Sequence, residues 1–330
     1  MFVAVDLGYG YTKAVSSKAR TVFPSAIAPY SENVIDAGLE IGYVVELRPA
    51  GSMIKKQYFI GEMALKRGRA VQMTLAREKF AQEASLLLTL AGAYLAGAEG
   101  QVDLAYGLPL AYYKTQRAEA QKALQGFAAY IKIDGGPEKY IAFNGVYIFP
   151  QGVGALFSLD SLPKEGLVGL IDVGYYTCDY LLVGLRPNGV EPLPAFMSSI
   201  EVGVSTALKE FAEKFQRVTG RPLSLTEANN LWGRDTITFA GKKMDIGGMV
   251  EEARQETGRT IADSIMAAWS EKIDFLDLIL LAGGGSLEFL NILQRQFGRH
   301  VEIMPDPQYA NALGFYKMAS RQVTAAKANS

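Results

Sequence analysis

The stretch "VAVDLGYGYTKA", at residues 3–14, is the clearest indication of how this chain folds. It contains an apolar run, an aspartate, a short segment with two glycines, and a lysine. Apolar and β-branched runs on both sides of a tight glycine turn are typical of a β-hairpin. The stretch therefore predicts strands over residues 2–6 and 12–17, joined by a turn at Gly8 and Gly10.

A second stretch, "GLIDVGYYTCDYLLV" at residues 169–183, repeats the order of apolar run, aspartate, any residue, glycine and tyrosine. It predicts another pair of strands, with Asp172 in the place that Asp6 has in the first pair. A third glycine turn follows the apolar run "LILLA" and precedes a predicted helix. Strands that alternate with helices indicate an α/β architecture, and the repeat indicates that its core is duplicated.

The composition is that of a globular protein with a large core. The 330 residues are 49% hydrophobic and 20% charged, and a chain of this length is expected to form two domains. The 33 Lys and Arg balance 34 Asp and Glu, which argues against direct binding of nucleic acid. The single cysteine, Cys178, cannot form an internal disulfide, so we expect a cytoplasmic protein. The longest apolar segment, residues 84–98, is too short for a membrane span and predicts a buried helix.

The hydrophobic pattern also predicts the remaining elements and the domains. We expect helices over residues 74–95, 114–130 and 250–270. The predicted domain boundaries are 1–150 for the first domain, with an insertion at about 20–70 and a closing helix at 308–320, and 151–307 for the second domain, with an irregular, polar insertion at about 220–250.

The two glycine turns with their aspartates make physical sense as a clamp for a metal-bound phosphate. Backbone N–H groups in tight turns accept anions, and Lys13 can add a point charge. One carboxylate about 4 Å from one phosphate charge costs roughly 4 kcal/mol at an effective dielectric near 20, and a Mg²⁺ ion between them reverses the sign. Asp6 and Asp172 therefore predict a magnesium nucleotide, with the metal held through water. Ordinary turns with strand-end aspartates would leave the pairing unexplained.

Gln151 is a further candidate because it follows Pro150 at the start of a predicted helix. A neutral amide can orient a water molecule for attack on a terminal phosphate, as in other nucleotide hydrolases. No G-x-x-x-x-G-K-[ST] loop occurs in the sequence, and the first turn lacks the third glycine of a dinucleotide fingerprint. The lone His300 offers no basis for a histidine triad and is expected at the surface, near the start of a strand.

These motifs in this order resemble those of the prokaryotic actin-like ATPases of the ParM/StbA type and their archaeal actin-like relatives, within the actin/Hsp70/sugar-kinase superfamily. The resemblance runs over nearly the whole chain. It rests on "DLGYGYTK", "FPS" at 23–25, "GLPL" at 107–110, "PQGVGA" at 150–155, "IDVGYYTCD", "LAGGGS" and "QYANALGFYK". It implies two duplicated ribonuclease-H-like domains, each with a smaller insertion, and a nucleotide in the cleft between them.

The resemblance also implies a role for each motif. Asp6, Asp172 and Gln151 would organise Mg²⁺ and the attacking water, while Asn311 and Gly314 would lie where the last helix closes on the first domain. The implied nucleotide contacts are Gly8, Tyr9, Gly10, Tyr11, Thr12 and Lys13 at the β-phosphate, Gly174, Tyr175, Tyr176 and Thr177 at the γ-phosphate, and Gly283, Gly284, Gly285 and Ser286 at the adenosine. Tyr11, Tyr175 and Tyr176 depart from the family pattern, which has smaller or basic residues there.

The function implied is that of an ATP-dependent, filament-forming ATPase that acts in DNA segregation or cytoskeletal positioning. Its partners would be further copies of itself and a separate DNA-binding adaptor, and GTP remains open as an alternative to ATP. The competing hypothesis is a small-molecule kinase of the sugar-kinase type, since fold alone does not determine function. A chaperone ATPase and a membrane-tethered protein are less well supported, because we expect neither a peptide-binding domain nor an apolar anchor.

Overall fold

The computed structural model describes residues 1–31, 42–68, 70–73, 80, 82–187, 189–298 and 300–328. The chain forms two compact units. Unit 1 comprises Met1–Ser161 together with Tyr309–Ser330, and unit 2 comprises Leu162–Gln308.

The first part of unit 1 contains ten strands and four helices among the described residues. The strands are β1 Phe2–Leu7, β2 Tyr11–Ser16, β3 Arg20–Pro24, β4 Ala26–Pro29, β5 Tyr43–Pro49, β6 Lys56–Ile60, β7 Gln72–Met73, β8 Gly100–Leu108, β9 Ala128–Ile133 and β10 Lys139–Pro150. The helices are α1 Glu62–Arg67, α2 Glu83–Leu95, α3 Leu110–Leu124 and α4 Val153–Leu156.

Unit 2 and the returning helix follow in the chain. The strands of unit 2 are β11 Gly166–Val173, β12 Cys178–Arg186, β13 Gly189–Pro192, β14 Ser198–Ile200, β15 Thr236–Phe239, β16 Lys242–Asp245, β17 Leu278–Ala282 and β18 Val301–Ile303. Its helices are α5 Val204–Thr219, α6 Leu225–Leu231, α7 Gly247–Trp269 and α8 Ser286–Phe297. The last helix, α9 Ala310–Ala328, belongs to unit 1.

The two units contain the same five-strand arrangement. In unit 1 the order β3-β2-β1-β8-β10 has β1 antiparallel to β2 and parallel to β8. In unit 2 the order β13-β12-β11-β17-β18 has β11 antiparallel to β12 and parallel to β17. The predicted duplication of an α/β core is therefore confirmed. The sheet of unit 1 continues beyond β10 with five more strands, in the order β9-β5-β6-β4-β7.

Helices cover both faces of the sheet in unit 1. The apolar face of α2 packs against Val3, Val5 and Leu7 of β1 in the larger core. On the other face, Phe315 and Ala319 of α9 pack in a smaller cluster. Strand β1 is therefore buried on both faces, which explains why its sequence is almost continuously apolar.

Two hydrophobic cores can be distinguished among the described residues of unit 2. The main core lies on the sheet and includes the fully buried Trp269 and Phe289. The second, which we call the small core, joins α5, α6, α7 and the β15–β16 hairpin. Its buried members are Leu208, Phe211, Phe215, Ala228, Ile246, Val250 and Ala253.

Three of the predicted elements differ from the structure. The predicted helix over 114–130 is wrong at both ends, because α3 covers Leu110–Leu124 and is followed by Gly126 with a φ of 79° and then by β9. Residues 220–250 are not irregular, since they contain α6 and the β15–β16 hairpin. The helix predicted from residue 74 begins at Glu83, and residues 74–79 lie outside the described part of the chain.

Two other predictions, for His300 and for the segment over 84–98, are confirmed. His300 is exposed and directly precedes β18. The segment over 84–98 forms most of the buried helix α2. Among the helices in the described residues, none combines the length and the apolar character that crossing a membrane requires.

Candidate functional site

The first turn, residues 8–11, connects β1 to β2 and places a carboxylate between two polar side chains. Asp6 is 3% exposed and lies opposite Lys13 in the antiparallel register. Its Oδ2 atom accepts a hydrogen bond from Lys13 Nζ at 3.1 Å, and its Oδ1 atom accepts one from Gln151 Nε2 at 2.6 Å. Three residues chosen from separate parts of the sequence are thus brought together.

A residue outside the predicted site holds the backbone of the first turn. The Ser25 side chain donates to the carbonyl oxygen of Gly8 at 2.8 Å, and the Ser25 N–H donates to the carbonyl oxygen of Gly10 at 2.8 Å. Its hydroxyl also lies 2.9 Å from the hydroxyl of Thr12. The "FPS" motif of the sequence therefore supports the turn from β3, a role that its position in the sequence alone does not indicate.

The close packing of α9 fixes the position of Gln151. Its N–H donates to the carbonyl oxygen of Leu108, and the N–H of Gly152 donates to Asn311 Oδ1, both at 2.8 Å. A Cβ atom on Gly314 would overlap the backbone of Gly154, so glycine is required where α9 crosses α4. Asn311 and Gly314 therefore lie at the closing helix of unit 1, as the resemblance implied.

The second turn, residues 174–177, connects β11 to β12 and has the same hydrogen bond as the first. The N–H of Gly174 donates to the carbonyl oxygen of Thr177 at 2.8 Å. In the first turn, the N–H of Gly8 donates to the carbonyl oxygen of Tyr11 at 3.0 Å. The two turns thus close in the same way, three residues along the chain.

The residue that faces the aspartate differs between the two turns. Asp172 lies opposite Asp179 in the register of β11 and β12, and both are 8% exposed. Directly opposed residues of an antiparallel pair project from the same face of the sheet. Sequence analysis missed Asp179, although its seven-residue spacing from Asp172 matches that of Asp6 and Lys13 and could have indicated it.

The negative charges of these two aspartates affect the neighbouring thiol of Cys178. Cys178 is fully buried, and burial together with the charges of Asp179 and Asp172 raises its pKa well above the usual value. A thiol in this state is a weak nucleophile. Cys178 is accordingly a packing residue.

The third turn, residues 283–285, lies against the second within unit 2. The N–H of Gly285 donates to the carbonyl oxygen of Val173 at 2.9 Å, and a Cβ atom on Gly283 would overlap Asp172. Gly283 has a φ of 86°, which favours glycine, and the hydroxyl of Ser286 donates to its carbonyl oxygen at 2.7 Å. Asp172 and the predicted adenosine turn are therefore neighbours.

The three tyrosines that depart from the family pattern are partly buried. Burial, and to a smaller extent the charge of Glu62, raises the pKa of Tyr11. The rings of Tyr175 and Tyr176 meet edge to face at 4.8 Å, and Tyr175 packs against the small core. Burial also raises the pKa of Tyr176. Tyr11 and Tyr176 are therefore neutral phenols near neutral pH.

The described residues contain no group of three or more His, Cys, Asp and Glu side chains suited to a metal ion. Magnesium is usually bound through one or two carboxylates, waters and substrate phosphates rather than by an all-protein cage. The opposed carboxylates of Asp172 and Asp179 fit such a cation, because each is buried beside a like charge.

Comparison with protein-family models gave two matches. Residues 4–154 match the N-terminal domain of the actin-like proteins, and residues 170–295 match the C-terminal domain of the archaeal, MreB-like actin homologues. The two matches together cover most of the chain, which therefore belongs to the actin-like proteins. A search of curated proteins found no match.

Solved structures agree on the fold. A non-polymerisable quadruple mutant of pCBH ParM superimposes with a TM-score of 0.82 and 24% identity, over 97% of this chain and 99% of that one. The archaeal actin homologue Ta0583 gives a TM-score of 0.84 and 22% identity, over 97% and 99%. A 15-stranded ParM filament from Clostridium botulinum gives 0.83 and 23%, again over 97% and 99%. The chain has the actin-like fold.

Proposed function

We propose that this protein is an ATPase that binds Mg-ATP and polymerises into filaments. The observation that carries the proposal is the repeated turn. The same N–H to carbonyl bond follows a buried strand-end aspartate at Gly8 and at Gly174. Ordinary turns would not need a buried carboxylate at the same place in both copies.

The proposed nucleotide contacts are those that the resemblance implies. Backbone N–H groups of the first and second turns bind the phosphates, and the third turn lies against the adenosine. Lys13 supplies positive charge while it stays paired with Asp6 at 3.1 Å. A complex of Ta0583 with ADP is among the similar structures, which supports a nucleotide as the ligand.

Magnesium, when bound, neutralises the phosphate charge and orients the water molecules around it. Asp6 and Asp172 would hold those waters, and Asp179 adds a second carboxylate beside Asp172. Oδ2 of Asp6 accepts a hydrogen bond from Lys13 and Oδ1 accepts one from Gln151, and a carboxylate oxygen has room for another. The carboxylate can therefore accept a hydrogen bond from a metal-bound water.

Gln151 is the proposed water-positioning residue. Its amide nitrogen is held by Asp6 at 2.6 Å, which fixes the direction of the side chain. The carboxamide can then direct a water molecule at the terminal phosphate without itself becoming charged. A fixed amide is more effective than a mobile one, because it does not have to reorient as the transition state forms.

Membership of the actin-like family supports our proposal for filament formation, the cellular role and the partners. The structural neighbours include a ParM filament, which supports head-to-tail association of copies of this chain through contacts that do not close into a ring. We propose a cytoplasmic role in DNA segregation, plasmid partition included, or in cytoskeletal positioning. DNA would be reached through a separate adaptor, since the net charge of −1 offers no general attraction for it.

Sedimentation with Mg-ATP, with Mg-ADP and without nucleotide tests this proposal, combined with electron microscopy of the pellets. We expect filaments with Mg-ATP and phosphate release into the supernatant, and substituting GTP measures the base preference. Protein that stays in the supernatant, and transfers phosphate to a sugar in a mixed-substrate assay, would instead identify a kinase.

The variant Gln151→Ala tests the role of the amide. We expect kcat for ATP hydrolysis to fall roughly 100-fold, because an unpositioned water attacks slowly, while the dissociation constant for ATP changes less than about threefold. Single-turnover hydrolysis and equilibrium binding measure the two quantities. Equal losses in both would reject the water-positioning role.

A further inference from the structure

The second turn is fastened to the first residues of α5. The N–H of Val204 donates to the carbonyl oxygen of Gly174 at 3.2 Å, and the N–H of Ser205 donates to that of Tyr175 at 2.7 Å. A Cβ atom on Gly203 would lie 2.7 Å from the Gly174 oxygen, so glycine permits this approach. The turn cannot shift without either moving α5 or breaking these bonds.

Tyr175 extends this connection through its side chain. Its ring packs against the small core, whose members come from α5, α6, α7 and the segment before α7. The ring of Tyr176 braces it edge to face, with an interplanar angle of 82°. The carbonyl oxygen of Tyr175 thus accepts a hydrogen bond from the first turn of α5, while its ring packs against the small core.

Val204 connects the third turn to the same place. Its side chain packs against both the main core and the small core. A Cβ atom on Gly285 would lie 2.7 Å from Val204 Cγ2, so the third turn is in direct contact with the start of α5. The second turn, the third turn and the small core therefore meet around Tyr175 and Val204.

We infer that Tyr175 is a positioning residue that couples the second turn to the small core, so that binding of a phosphate group at the turn repacks that core. The inference rests on the proposed nucleotide site. Because protein interiors are packed as densely as organic crystals, a displacement of the turn is transmitted through the ring rather than absorbed. Phosphate binding at the second turn should then be detectable as a change in the packing of the small core.

Trp232 provides a reporter inside the region concerned. It packs against both the small core and the main core, with its ring centroid 6.1 Å from that of Phe211 and its indole nitrogen 3.0 Å from Glu288. The guanidinium of Arg254 lies 5.2 Å from its ring centroid. Small movements against these charged groups change indole emission. The only other tryptophan of the sequence, Trp269, is fully buried in the main core.

The experiment compares Tyr175→Ala with Tyr175→Phe in the full chain, using Mg-ADP and a nonhydrolysable ATP analogue as ligands. Tyr175→Phe keeps the ring and should reproduce the wild-type change in Trp232 emission. In Tyr175→Ala we expect most of that change to disappear while the dissociation constant shifts less than about fivefold. Its kcat should fall roughly 10-fold with little change in KM, because the turn is less well positioned.

Two further variants keep the test decisive. Trp232→Phe should abolish the emission change, which assigns the signal to Trp232 rather than to Trp269. Val204→Ala trims the second connection and should reduce the response even if Tyr175→Ala fails to fold. A full response in folded Tyr175→Ala, or a wild-type protein that binds nucleotide with no change in emission, overturns the inference. A wild-type protein that binds no nucleotide in equilibrium dialysis rejects the proposed function itself.

Discussion

The first and second turns are built alike but differ in the charge that faces their aspartate. Both are closed by a hydrogen bond between a glycine N–H and a carbonyl oxygen three residues on. Across the strands, Asp6 faces Lys13, whereas Asp172 faces Asp179. One duplicated hairpin thus carries a neutral pair and the other a doubly acidic pair. A repeated backbone can therefore supply two kinds of chemistry.

The difference in charge assigns a separate task to each turn. Two unit charges about 5 Å apart repel by roughly 3 kcal/mol at an effective dielectric near 20. The Mg²⁺ ion of the proposed site would remove that repulsion at the second turn, whereas Asp6 at the first turn already has a cationic partner in Lys13. We therefore expect metal binding to depend more on the second turn and phosphate binding to depend more on the first turn.

The largest expected effect compares Asp172→Asn with Asp6→Asn. Loss of the carboxylate at the second turn should raise the Mg²⁺ concentration needed for half-maximal ATPase activity roughly 10- to 100-fold. The same change at the first turn should have a smaller effect, since Asp6 is already paired with Lys13. Titrations of Mg²⁺ at saturating ATP measure both. An unchanged metal requirement in Asp172→Asn would contradict the assignment.

A second prediction concerns stability without metal or nucleotide, where the two turns should respond with opposite sign. Lys13→Met leaves the buried Asp6 without its cation and should lower the free energy of unfolding by about 2–3 kcal/mol. Asp179→Asn removes a like charge opposite Asp172 and should raise it by about 1 kcal/mol. Urea unfolding in the presence of EDTA measures both values. Losses of stability in both variants would show that the opposed carboxylates do not repel.

The smallest expected effects concern the glycines that close the turns. A Cβ atom on Gly8 would lie 2.8 Å from the Tyr11 oxygen and 3.0 Å from Lys13 Nζ, and one on Gly174 would lie 3.0 Å from the Thr177 oxygen. We expect Gly8→Ala to cost about 2 kcal/mol and Gly174→Ala about 1 kcal/mol.

Gly248→Ala is the matched control for this pair, because that position in α7 has open space around it. It should gain about 0.5 kcal/mol from helix propensity. Thermal unfolding of the three variants ranks them. Equal costs at Gly8 and Gly174 would show that the contact with Lys13 adds nothing to the first turn.

The hairpins and their aspartates could be predicted because their signals are local. Apolar runs around a glycine turn report strand pairing directly, and the seven-residue spacing sets which residues face each other. The same spacing contained Asp179, which a comparison of the two hairpins residue by residue would have found. The end of α3 was missed because its polar pattern continues to Gln125, and the break comes only at Gly126.

The small core shows why the rest could not be predicted. Residues 220–250 are polar, but Ser224 and Glu227 form a reciprocal cap on α6, and the β15–β16 hairpin follows. Their apolar residues are too sparse to predict a core by themselves. They become one only when α5 and α7 supply Phe211, Phe215 and Val250.

Local pattern and residue chemistry were enough to predict the duplicated α/β core, the three glycine turns and the candidate residues Asp6, Asp172 and Gln151. The folded structure was needed to see that Gln151 and Lys13 share the carboxylate of Asp6, that Ser25 supports the first turn, and that Tyr175 reaches the small core. Such contacts join residues far apart in the chain. Their geometry depends on how sheets and helices pack, which no short stretch of sequence specifies.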